Sequence, residues 1–140
     1  MSDKGYQVHG TIEMVKPDEA SNWTGMDLVP FETIAERFLD LEHEGHTATV
    51  TVSFGKPFVV DGRGWACPYR ITAPGRERIT PAGGTDSVHS IQMALQMVHN
   101  ELSGMARENK MSFLDTEDLG FGGVGGNEAM IAKCPGMPPC

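Results

Sequence analysis

The sequence predicts an α+β fold: an antiparallel sheet of four or five strands with one long α-helix packed on one face. Three observations carry this. From Asp86 to about Met105 the apolar residues Val88, Ile91, Leu95, Val98, Leu102 and Met105 recur at steps of three and four, which lines up one helix face. From Thr47 to Phe54 the hydroxyl residues Thr47, Thr49, Thr51 and Ser53 alternate with Ala48, Val50, Val52 and Phe54, the signature of a strand buried on one side only. From Trp65 to Thr72 the large residues Trp65, Cys67, Tyr69 and Ile71 alternate with Ala66, Pro68, Arg70 and Thr72.

In chain order, Tyr6, Val8, Ile12 and Met14 share one parity and predict an N-terminal strand over Tyr6–Val15. Lys16 to Pro30, with Pro17, Gly25 and Pro30, reads as a polar loop. Residues 1–30 therefore form an appendage, 31–121 the α+β domain, and 122–140 a flexible tail rich in Gly, Pro and Met. Phe31–Leu41 is ambiguous, and periodicity alone favours a helix there. Glu42-His43-Glu44-Gly45-His46 suits a hairpin turn if that segment is a strand. Gly55–Gly64 reads as loop. Pro68 cannot donate to a ladder and suggests a sheet edge or a bulge. Arg76–Thr80 predicts a short partner strand joined through Pro74-Gly75. Gly83-Gly84 mark a break before the helix, which Asp86 and Ser87 can cap. Lys110–Leu114 predicts one more short strand. Burial of the helix stripe predicts that a polar residue at Leu95 or Val98 unfolds the domain.

Bulk composition narrows the function. The 140 residues suit one domain with tails, and 39% hydrophobic residues suffice for one modest core. A formal charge of −8 argues against nucleic acid, whose phosphates need a basic footprint, and favours a basic protein partner. No apolar run has the ~18 residues of a membrane helix. Cys67, Cys134 and Cys140 do not form a disulfide framework, and no apolar leader follows Met1, so the expected compartment is a reducing cytoplasm.

The runs Ile34-Ala35-Glu36-Arg37, Trp65-Ala66-Cys67-Pro68-Tyr69-Arg70-Ile71, Gly84-Thr85-Asp86-Ser87-Val88 with Ala94-Leu95, and Leu119-Gly120-Phe121 resemble a family of small bacterial proteins of unknown function. The resemblance spans about Ile34 to Phe121, with Ser90-Ile91 departing from the family's usual Ala-Leu. It brings no activity, but it implies that Ile34–Leu41 is a strand, the first arm of a hairpin.

Several residue sets have the chemistry of a site. His43 and His46, flanked by Glu42 and Glu44, would make a Cys2His2 metal set if a folded-back tail supplied Cys134 and Cys140; the bland alternative is a solvated turn. Cys67 would be a nucleophile if His89 or His99, on the helix above it, served as base; a free cysteine is more often a small buried hydrophobe. Gly83-Gly84 before a helix suggests an anion site, but Asp86 puts a negative charge where the anion would sit, which favours a cap. The run Gly120–Gly126 lacks the Gly-Lys-Ser/Thr ending of a phosphate loop. Two acidic clusters remain, Glu36, Asp40, Glu42 and Glu44, and Asp115, Glu117 and Asp118.

With no catalytic set and no expected cofactor, the leading expectation is a small non-enzymatic protein-binding protein. One concrete form is an immunity or inhibitor protein that masks a basic partner such as a toxin through Glu42, Glu44, Asp115, Glu117 and Asp118. The alternatives are a metal- or ligand-binding domain built on His43, His46 and the tail cysteines, and a structural homodimer.

Overall fold

The structure is a computed structural model that describes residues 11–18 and 27–121. Its elements run β1 (Glu13–Val15), β2 (Val29–Phe31), β3 (Thr33–His43), β4 (His46–Gly55), β5 (Phe58–Val60), β6 (Gly64–Ala73), β7 (Arg76–Gly84), α1 (Ser87–Ala106) and β8 (Lys110–Ser112). The main sheet is antiparallel throughout. From one side to the other it runs β7, β6, β4, β3, β8, with β5 pairing the first residues of β6 and β4 pairing the last. β1 and β2 form a separate antiparallel pair. The expected α+β architecture is thus present, and the stretch expected to be loop contributes β5 as an extra strand. No helix among the described residues is long and apolar enough to cross a membrane.

The ambiguous segment is strand, as the resemblance implied. β3 turns into β4 through Glu44 and Gly45, both at positive φ (51° and 81°), a two-residue turn whose twist matches a hairpin. Alternation then sorts every side chain. Leu39 and Leu41 of β3, Val50, Val52 and Phe54 of β4, and Cys67, Tyr69 and Ile71 of β6 face α1 and form the core with Ala94, Val98 and Leu102. On the opposite face, Val29 and Phe31 of β2 pack on Ile79 of β7. β2 straddles residue 30, so this packing begins inside the expected N-terminal appendage. Of the expected N-terminal strand, Glu13–Val15 is seen, and Tyr6–Gly10 lies outside the described residues, as does the tail from 122.

Three local readings need correction. First, the buried stripe of α1 is Ser90, Ala94, Val98 and Leu102, whereas Val88 is 61% exposed and Leu95 is 38% exposed. The helix approaches the sheet most closely at Ser90 and Ala94 and continues the contact through Val98 and Leu102, while Val88 and Leu95 flank it. The expectation that a polar Leu95 unfolds the domain falls with it. Second, Gly83-Gly84 are the last residues of β7 and mark no break there. A Cβ on Gly84 would stand 2.4 Å from the backbone nitrogen of Ser90, so only glycine admits the helix at this distance. Third, Pro68 is interior. It stands opposite Pro81 of β7, and on its other side the β4 ladder has stopped and that of β5 has not begun. Counting from Ala73 and Arg76, which close the two-residue Pro74-Gly75 turn, Pro68 and Pro81 form a non-hydrogen-bonded pair, so both ring nitrogens point away from the β6–β7 ladder, that of Pro68 toward the gap between the β4 and β5 pairings.

Candidate functional site

The face of β3 and β4 turned away from α1 is covered over only part of its area. Over β6 and β7 lie β1 and β2, held by Arg70, whose guanidinium carbon stands 4.5 Å from the centre of the Phe31 ring and whose Nη2 is 3.4 Å from Glu13 Oε1. Toward β3 this cover ends among the described residues. There Glu36, Phe38, Asp40 and Glu42 follow one another on a single face, all exposed, and Phe38 is 60% exposed. The register sets Phe38 opposite Thr51, Asp40 opposite Thr49 and Glu36 opposite Ser53, whose hydroxyl donates to Glu36 Oε2 at 2.9 Å. An aromatic ring thus stands between two carboxylates on a bed of hydroxyls.

The expected acidic residues separate into three groups. Glu42 lies on this face with Lys110 of β8 opposite it, so a counter-charge is already in register. Glu44 is at the hairpin tip, its Oε2 3.6 Å from His43 Nε2. Asp115, Glu117 and Asp118 follow β8 in a turn closed by the Phe113–Thr116 bridge. The register Asp40–Ser112 brings that turn alongside β3. Asp115 and Glu117 are exposed there, while Asp118 is used internally: its Oδ1 accepts the Gly120 N–H at 2.9 Å and its charge faces Arg37.

Arg37 is the functional-looking side chain that sequence reasoning passed over. Its guanidinium stacks on Phe113 at 4.4 Å and Phe121 at 4.7 Å, and Nη1 donates to the carbonyls of Leu119 and Gly120, both at 3.1 Å. Burial pulls its pKa below the usual guanidinium range, and the Asp118 charge opposes that shift. Its role is to strap residues 119–121 against β3 on the helix side. Nothing local to Arg37 signals this; the hint was two phenylalanines in an otherwise Gly-rich and polar stretch.

His43 and His46 are brought together as register partners. They line a cleft of about 540 Å³ between the two hairpin tips and the end of α1, with Arg76, Arg78, Glu101 and Glu108. His43 Nδ1 lies 2.6 Å from Asn109 Oδ1 and donates to it. Arg78 bridges Glu101 and Asp18, each at 3.2 Å, and the Tyr69 hydroxyl donates to the same Glu101. Burial, and then that bond to Glu101, raises the Tyr69 pKa. Among the described residues no group of three or more His, Cys, Asp or Glu is placed to hold a metal, and Cys134 and Cys140 lie outside them.

Cys67 is fully buried and its thiol donates to the Gly55 carbonyl at 3.4 Å. Burial pushes its pKa up to about 11, the opposite of what a nucleophile requires. His89 is occupied elsewhere, its Nδ1 accepting the Thr85 N–H at 2.9 Å, and His99 lies beside Leu119–Phe121. Asp86 is the helix cap, Oδ1 accepting the His89 N–H at 2.7 Å, so the first turn is closed to an anion.

Fold and surface define a small α+β domain with one sheet face sealed by a helix and the other left partly open. Residues 35–123 match the family model described as a domain of unknown function (DUF6968), and the chain belongs to that family. The matched span includes Arg37, Cys67, Asp86 and the Leu119-Gly120-Phe121 strap. No curated protein and no solved structure matches the chain.

Proposed function

We propose that this is a small non-enzymatic binding protein whose partner is a basic protein, in the manner of an immunity or inhibitor protein that masks its target. The observation that carries the reading is Phe38, exposed between Glu36 and Asp40 on the open face of β3. A large aromatic group in water costs free energy that a partner recovers by covering it, and carboxylates at its rim select a cationic surface and speed the encounter. The net charge of −8 adds long-range steering. A buried free thiol at Cys67 suits a reducing cytoplasm. Affinity capture from the native host, after cross-linking, should recover a basic protein in stoichiometric amount. Phe38→Ser with Asp40→Lys should abolish the recovery. Repeated isolation of the domain alone would count decisively against the proposal.

A second reading rests on the cleft at the hairpin tips. Leu41, Ala48, Ala73 and Met105 give it an apolar floor, and His46, Arg76, Glu44 and Glu108 give it a rim of mixed polarity. This fits a small apolar molecule with a polar head. Benzoate titrated into the labelled protein should shift the resonances of His46 and Met105; an unchanged spectrum at millimolar ligand removes this reading. Elemental analysis of untagged full-length protein tests the metal version, which requires bound zinc.

A further inference from the structure

We propose that the partner engages β3 by its edge, adding an extended cationic segment to the main sheet as a further strand; this rests on the binding function proposed above. β3 is the longest strand, but β8 covers it only at Asp40, Leu41 and Glu42. From Ala35 to Leu39 it has β4 on one side and, among the described residues, no strand on the other.

The hairpin fixes which backbone groups that edge offers. His43 and His46 close a two-residue turn, and the pair that closes such a turn exchanges its own hydrogen bonds. Alternation then directs the N–H and C=O of Leu39, Arg37 and Ala35 toward β4. Those of Phe38 and Glu36 point outward, in phase with Asp40 and Glu42, which meet β8. The side chains of the same two residues stand on the open face. One short stretch therefore presents main-chain donors and acceptors together with the exposed ring and its carboxylates.

Sheet edges are normally blunted by lysine, proline or a covering segment. Residues 34–39 contain neither lysine nor proline. On β7, at the other side of the sheet, the main-chain N–H of Asp18 binds the carbonyl of Ile79 and covers that edge locally. Residues 119–121 reach β3 through the Arg37 side chain and not through a ladder, so among the described residues the main-chain edge at Glu36 and Phe38 has no strand on it.

Charge selects the occupant. Glu36 and Asp40 lie on one face, and Asp115 and Glu117 stand on the adjoining turn. A second copy pairing here would bring the same carboxylates together and join two chains of charge −8. A basic segment meets them with opposite charge. Residues two apart on a strand lie about 7 Å apart on one face. Ser112 already stands opposite Asp40, so a segment with a cation opposite Glu36 and an apolar residue opposite Phe38 matches this edge, and a second cation two residues beyond reaches Asp40 from the segment's end.

Amide hydrogen exchange on the full-length protein tests this with the peptide Thr-Lys-Thr-Val-Thr-Lys-Thr. Glu36 and Phe38 amides should exchange freely alone and be slowed by the peptide. Methylating the peptide nitrogens that face the edge should weaken binding about two- to tenfold per bond removed. Equal binding of the methylated peptide would overturn strand addition while leaving an acidic docking face intact. Glu36 and Phe38 amides already protected without peptide would also overturn it, by showing the edge occupied. Dependence of that protection on protein concentration would then identify a second copy, and independence would identify the chain's own residues 122–140. Failure of the unmethylated peptide to bind overturns the edge proposal, whereas failure of the capture experiment overturns the function on which it rests.

Discussion

The two faces of the β3–β4 hairpin are made by the same residues in alternation, yet they have opposite fates. On one, Leu39, Leu41, Val50 and Val52 are buried in a core shared with Ala94, Val98 and Leu102 and closed by Phe113, Leu119 and Phe121. On the other, Phe38 stands in solvent between Glu36 and Asp40. Over β6 and β7 both faces are covered, by α1 on one side and by Val29 and Phe31 on the other. The open ground is therefore confined to β3 and its neighbour. Stability and recognition can be separated by parity: a change at one residue alters the core, and a change at the next alters only the surface.

The largest test of that separation is on the helix. Val98→Asp places a charge at a position with no exposure and should cost about 4 kcal/mol or more, enough to abolish the urea unfolding transition. Leu95→Asp, one turn earlier on the partly exposed flank, should cost about 1–2 kcal/mol and leave a measurable transition. If both unfold the protein equally, the placement of α1 is wrong and so is the division into a sealed and an open face.

Next in size is Gly84→Ala. The added methyl would meet the backbone of Ser90, which cannot move without lifting the helix, so a loss of about 2–3 kcal/mol is expected in denaturant unfolding. The same residues explain what the sequence did and did not show. The strands at Thr47–Phe54 and Trp65–Ile71 were legible because each alternates two kinds of residue, hydroxyl with apolar in the first, and Trp65, Cys67, Tyr69 and Ile71 with Ala66, Pro68 and Arg70 in the second. The helix was legible as a helix, but its buried face was not. Close approach to the sheet selects Ser90 and Ala94, which a search for large apolar residues ignores, while Val88 and Leu95 satisfied the period without being buried. β2 and β5 are three residues each, too short for any period to register. The acidic surface was legible as composition. Its focus at Phe38 was not, because a single aromatic residue in a strand reads as core until the sheet shows which parity is covered.

The sealed face also predicts a pH dependence. Cys67 ordinarily titrates at 9.0, and burial raises it to about 11 in the fold. Between these values the unfolded chain has released its proton and the folded chain has not. The unfolded state thus binds fewer protons, and stability falls as pH rises through the window, by about 2–3 kcal/mol in all. Tyr69 is shifted in the same direction and adds to the loss from about pH 10 upward. Urea midpoints at about pH 8 and about pH 10.5 should differ, and Cys67→Ala should shrink that difference without removing it. Equal midpoints in the unmodified protein would mean that water reaches the thiol.

The smallest expected change in stability belongs to the open face, where it is most informative. Phe38→Ser deletes a ring that is mostly in water and replaces it with a hydroxyl beside Thr51, whose own hydroxyl faces the same way. The unfolding free energy should change by less than about 0.5 kcal/mol. Glu36→Gln should be similarly mild, because an amide oxygen can still accept from Ser53. Both variants should lose the captured partner, the first through the missing anchor and the second through the missing charge. If Phe38→Ser instead costs as much as a core truncation, about 2 kcal/mol or more, the ring is already covered in solution. The open face would then be part of the protein's own packing, and a partner would have to be sought at the cleft beside His43 and His46.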